Sequence, residues 1–66
     1  MMPISVHTGK DGVRAEVVNM EGGHYSVLFF KHDTWTHETI TMSLTEAINM
    51  AQRYTSMLHG PTFLTE

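Results

Sequence analysis

The stretch MSLTEAINMAQRYTSMLHGP, residues 42–61, carries agreeing signals at its start, along its length and at its stop, and reads as a single helix. Ser43-Leu44-Thr45-Glu46 has the spacing of a capping box, in which Ser43 accepts from the backbone N–H of Glu46 while the Glu46 side chain reaches back to the N–H of Ser43. Gly60 is able to close the helix in the left-handed conformation, and Pro61 cannot continue it. Leu44, Ala47, Ile48, Ala51, Tyr54, Thr55 and Leu58 fall in one stripe at helical periodicity, with Glu46, Asn49, Gln52, Arg53 and Ser56 opposite. Such a helix needs a surface to cover, and the chain before it supplies one.

That preceding chain reads as strands. Ile4 and Val6 suggest a short edge strand within Met1–His7, and the polar run from Thr8 to Gly12, with two glycines, is turn chemistry. Val13 to Met20 is rich in β-branched residues, and Gly22-Gly23 predicts a two-residue hairpin turn into Tyr25–Lys31. That turn pairs Val18 with Val27, Val17 with Leu28, Glu16 with Phe29 and Ala15 with Phe30. A further turn at Asp33–Thr36 and a strand from His37 to Met42 set Lys31 opposite Glu38 and Phe29 opposite Ile40. One face then carries Val18, Met20, Tyr25, Val27, Phe29, Ile40 and Met42, and the other carries Val13, Ala15, Val17, Leu28 and Phe30. The expected fold is α+β: one domain over residues 1–66, an antiparallel sheet of three to four strands, and one C-terminal helix packed on one face (ββββα).

Composition narrows the function. A chain of 66 residues buries only about 60% of its unfolded surface, and its total stability is roughly 3 to 10 kcal/mol. Little of that is available for a deep pocket. With no cysteine, disulfides, thiolate metal sites and cysteine nucleophiles are excluded, and a reducing cytoplasm is the expected setting. No apolar run approaches the ~20 residues needed to cross a bilayer, and the N-terminus has neither a charged leader nor an apolar one. No membrane association is expected. The net charge is −3, with only Lys10, Arg14, Lys31 and Arg53 positive, which argues against direct nucleic-acid binding.

The candidates for chemistry are few. Five histidines are many for this length, and His32 and His37 flank one predicted turn beside Asp33 and Glu38, so they are the pair on which a metal-dependent enzyme or metal sensor would be built. Their spacing matches no ligand motif, and no metal or other cofactor is expected. The glycines fit turns rather than a phosphate loop, and no catalytic cleft is expected above so small a sheet.

The stronger reading concerns surfaces. One helix covers one sheet face, leaving Val17, Leu28 and Phe30, or their counterparts on the opposite face, exposed, and a contiguous apolar face marks a contact site. Trp35, placed at a predicted hairpin tip, and Met50 and Met57, at the margin of the helix stripe, complete the set of expected partner-binding residues. The expected function is non-catalytic binding of a larger protein, with a homodimeric assembly part as the alternative.

The order of strands followed by a helix opening Ser43-Leu44-Thr45-Glu46-Ala47-Ile48 resembles the antitoxin half of HicB-type toxin–antitoxin pairs, over Thr41 to Ala51. The proline- and glycine-containing strand connection of that family has no counterpart here. In size, acidity and architecture the chain also resembles the small proteins with which phages block host defences, anti-CRISPR proteins among them. Both resemblances imply an inhibitor that occludes a larger protein, and neither assigns a role to a residue.

Overall fold

The computed structural model describes residues 3–55 and 62–63. Strands β1 (Ser5–Thr8), β2 (Val13–Met20), β3 (His24–Lys31) and β4 (Thr34–Thr41) precede helix α1 (Leu44–Thr55), and a two-residue strand β5 (Thr62–Phe63) follows it. All pairings are antiparallel, in the order β4-β3-β2-β1-β5, and α1 packs on one face. The expected ββββα architecture is therefore present. Its one addition is β5, which sets Phe63 opposite Ser5 and Thr62 opposite Val6, so β1 is not the sheet edge there. A 3₁₀ turn at Lys10–Gly12 joins β1 to β2.

Two registers differ from those expected. Three residues, Glu21-Gly22-Gly23, separate the paired Met20 and His24, and both glycines turn with positive φ (92° and 80°). Val17 consequently faces Val27, and Ala15 faces Phe29. This shift of one position moves side chains between faces. Val17, expected on the exposed face, has 0% exposure. The next turn is His32-Asp33, both residues at positive φ (52° and 64°), as a two-residue primed turn requires. Histidine and aspartate tolerate that conformation better than most side chains. Strand β4 thus begins at Thr34, its pairs are Leu28–Glu38 and Phe29–His37, and a bulge at Thr36 brings Trp35 opposite Phe30. Trp35 lies within a strand, not at a tip.

The helix covers Ala15, Val17, Val27 and Phe29, which form one cluster with Ala47 and Ala51 of α1. Leu44, Ile48, Met50 and Tyr54 pack around it, as the helical stripe predicts for all but Met50, which sits at its margin. Half of the capping box is present: Ser43 Oγ accepts from the N–H of Glu46 (3.3 Å). The other half runs through Thr41, whose hydroxyl donates to the Glu46 carboxylate and accepts from the N–H of Ser43 (3.3 Å). The predicted helix stop at Gly60-Pro61, together with Met57 and Leu58, lies outside the described residues.

Where α1 nears the start of β2 the contact is close. A Cβ on Gly9 would collide with the Thr55 carbonyl and come within 2.9 Å of Val13. Gly9 has φ −139°, which any residue adopts, so it is the approach of the helix and not backbone strain that requires glycine. Gly9→Ala is therefore expected to cost roughly 1 to 3 kcal/mol as an overpacking change. In thermal unfolding that corresponds to a drop of about 4–8 °C per kcal/mol for a chain this small; an unchanged melting temperature would show that the helix yields.

His7 on β1 has 1% exposure, and its Nε2 shares a 2.8 Å hydrogen bond with Ser5 Oγ. Its Nδ1 is buried with no hydrogen-bond partner among the described residues. Burial lowers its pKa from the ordinary 6.5, because the charged imidazolium would lose its hydration. The folded state then binds that proton more weakly than the unfolded chain. The stability contributed by neutral His7 is complete above 6.5 and is lost as pH falls through the lowered value. Melting curves recorded at successive pH values below 6.5 should show a falling midpoint. His7→Gln should flatten that slope, and parallel slopes for the two proteins would exclude His7 as its source.

Candidate interaction face

The face of the sheet away from α1 is built of rows that cross the strands. Arg14 of β2 pairs with Phe30 of β3, which pairs with Trp35 of β4. The next row is Val6, Glu16, Leu28 and Glu38, and the one after it Val18, Ser26 and Ile40. Leu28 is thus half-buried between two carboxylate-bearing positions, and Phe30 between a guanidinium and an indole.

Polar contacts hold these rows in place. The Arg14 guanidinium carbon lies 4.2 Å from the centroid of the Phe30 ring, a cation–π stack. Its Nε donates to Glu16 Oε2 (3.1 Å) and its Nη1 to Asp33 Oδ1 (2.5 Å). Asp33 is almost wholly exposed, so that second contact serves orientation more than stability. Ser26 Oγ donates to Glu38 Oε2 (2.5 Å), which draws the carboxylate back across β3. Three carboxylates (Glu16, Asp33, Glu38) against one guanidinium (Arg14) leave this face with a formal charge of −2.

The expected partner-binding residues separate. Leu28 and Phe30 lie at the middle of this face, and Trp35 beside them is 55% exposed. Val17 belongs to the core instead. Met50 is half-buried against the core on the helix side of the sheet, and also lines a shallow groove along α1 with Ser43, Thr45, Glu46, Asn49 and Arg53. It shares no surface with Leu28. Met57 is outside the described residues.

Arg14, Glu38 and Ile40, the last 57% exposed, belong to the face although the sequence reading did not name them for it. Strand alternation places Arg14 there once the glycine turn is read as three residues, and Glu38 and Ile40 only once the second turn is read as His32-Asp33 with a bulge at Thr36.

The two histidines proposed for a metal do not pair. His37 lies opposite Phe29, its ring stacked on the phenyl at 4.4 Å between centroids and 21° between planes, with Tyr54 edge-on to both. His32 occupies the turn, its ring against Gly12. Among the described residues no group of three or more His, Cys, Asp or Glu is placed to hold a metal ion, and no helix is long and apolar enough to cross a membrane. Ser5 and His7, the one buried hydroxyl–imidazole pair among the described residues, have almost no exposed surface and cannot meet a substrate in this state.

Comparison with family models, with curated proteins and with solved structures finds no match to this chain.

Proposed function

We propose that the chain is a non-catalytic protein-binding module that occludes a site on a larger protein, docking through the sheet face opposite α1. The observation that carries this reading is the placement of the large apolar side chains. The core is made of alanine, valine and one phenylalanine, whereas Leu28, Phe30, Trp35 and Ile40 stand on the face that α1 leaves open. A rigid sheet presenting an exposed indole beside apolar neighbours has the composition of an interface centre, with a polar rim around it. The rim here is acidic, so the partner surface that fits is an apolar patch bordered by lysine or arginine. An inhibitor of the anti-defence or antitoxin kind, cytoplasmic and free of cofactor, is the form of this reading that agrees with both sequence resemblances.

The test compares three proteins as bait in lysate of the source cells: the unaltered chain, Leu28→Lys and Trp35→Ala. Lysine at position 28 would lie between Glu16 and Glu38, so it should preserve the fold while removing the apolar centre. The unaltered chain is expected to retain one protein partner in stoichiometric amount. Trp35→Ala should weaken its binding by about 30-fold, the equivalent of 2 kcal/mol for an anchor residue, and Leu28→Lys should abolish it. Emission from Trp35, the single tryptophan, should move to shorter wavelength when the purified partner is added. Equal retention by all three baits, with circular dichroism unchanged, would move the contact off this face.

A further inference from the structure

Strand β4 is an edge strand of eight residues, and among the described residues nothing lies beyond it. Long uncovered edges are normally blunted by lysine, proline, charged side chains or a bulge that twists the edge away. Here Thr34-Trp35-Thr36-His37-Glu38-Thr39-Ile40-Thr41 has neither lysine nor proline, and its single bulge, at Thr36, lies toward one end and leaves the stretch from His37 to Thr41 regular. Both of its ionisable side chains are exposed but engage β3 and not the space beyond the edge: His37 stacks on Phe29, and Glu38 accepts from Ser26. Helix α1 packs chiefly over β2 and β3, so it does not shield this edge. What remains along the edge is threonine, tryptophan and isoleucine, with a row of backbone donors and acceptors that no described residue meets.

We infer that β4 pairs antiparallel with β4 of a second copy of this chain, about a two-fold axis through Glu38. The pairing is self-complementary. The bulge makes Thr36 an extra residue, so β4 has seven pairing positions, eight residues less one, with Glu38 at the middle. A two-fold axis normal to the sheet keeps each face on its own side, so only registers two positions apart are allowed. Centred on Glu38, the pairing uses all seven positions. Trp35 then lies opposite Ile40 of the second copy, twice by symmetry, Thr34 opposite Thr41, and His37 opposite Thr39.

Sliding by one allowed step sets Trp35 or Ile40 against Glu38 and shortens the overlap. The Glu38 pair at the axis would be repulsive if the carboxylates met. Each is instead held across its own β3 by Ser26. The product is one continuous sheet of ten strands, five from each copy, with both helices on one side and both open faces joined on the other. This seam is an edge contact and does not rest on what the open face binds.

Because the chain has no cysteine, single introduced cysteines report the register. Opposed residues in an antiparallel pair have Cα atoms about 4.5–5.5 Å apart, within disulfide reach. Glu38→Cys should therefore oxidise to a covalent dimer. Thr34→Cys, about 20 Å from its own copy across the seam, should do so at least tenfold more slowly, and a mixture of Thr34→Cys and Thr41→Cys proteins should yield the mixed disulfide. Sedimentation of the unaltered chain should show its mass rising from one chain to two with concentration. Ile40→Lys should stay at one chain with unchanged circular dichroism, while Leu28→Lys should still dimerise. A single chain at every concentration overturns the inference, as does a dimer in which Glu38→Cys and Thr34→Cys crosslink alike. A dimer lost in Leu28→Lys but kept in Ile40→Lys overturns it too, and assigns self-association to the open face.

Discussion

The close seating of α1 on the sheet is the contact on which the rest of the structure depends. It is made by small side chains. Ala47 and Ala51 on the helix meet Ala15, Val17 and Val27 on the sheet, and at one end Gly9 passes directly beneath the Thr55 carbonyl. Side chains this short let the backbones approach, and interior packing is dense enough that one added methyl is felt. Using alanine and valine inside has a second effect. Apart from Phe29 and Tyr25, the bulkier apolar residues of the sheet are left for the other face, where Leu28, Phe30, Trp35 and Ile40 form an apolar surface without a covering layer among the described residues.

The buried positions, on both faces of the sheet, are also notable for how many are polar. Ser5, His7, Ser26, Thr41 and Thr55 are all buried. Each finds a partner nearby: Ser5 and His7 bond each other, Ser26 bonds Glu38, Thr41 bonds Glu46, and Thr55 Oγ1 donates to the Ala51 carbonyl (2.9 Å). Such local pairing keeps buried hydroxyls from costing what an unmet hydrogen bond would. The Nδ1 of His7 is the atom left over among the described residues. In a chain whose whole stability is only roughly 3 to 10 kcal/mol, one such atom is a substantial fraction of the margin.

Helix α1 was legible in the sequence because its signals are local: a capping serine, a glutamate three residues on, and an apolar stripe of helical period. The order and direction of the first four strands were legible for a similar reason, since glycine-rich turns punctuate β-branched runs, whereas the two-residue β5 carries no such signal. Register was not. Glu21-Gly22-Gly23 reads equally as a two- or three-residue loop, and Val27-Leu28-Phe29-Phe30 is apolar on both faces, so no polar residue there marks the solvent side. That ambiguity alone carried Val17 to the wrong face. His32-Asp33 was hidden for the opposite reason, because it makes a primed turn without glycine. The interaction face was therefore half visible: Leu28, Phe30 and Trp35 stood out as large apolar residues, whereas Arg14, Glu38 and Ile40 belong to it only through the pairing.

Thr41 has a role that its place in the chain conceals. It is the last residue of β4, and its hydroxyl completes the capping of α1 by joining the Glu46 carboxylate to the N–H of Ser43. The end of the edge strand and the first turn of the helix are thus one hydrogen-bonded knot, separated by Met42 and Ser43 alone. Local unfolding propagates through such shared bonds, so peeling β4 from β3 at Thr41 costs α1 the part of its cap that Thr41 supplies. The two elements form a single opening unit. Whatever fastens the outer edge of β4 also slows fraying at the start of the helix, and amide exchange on the two should rise and fall together.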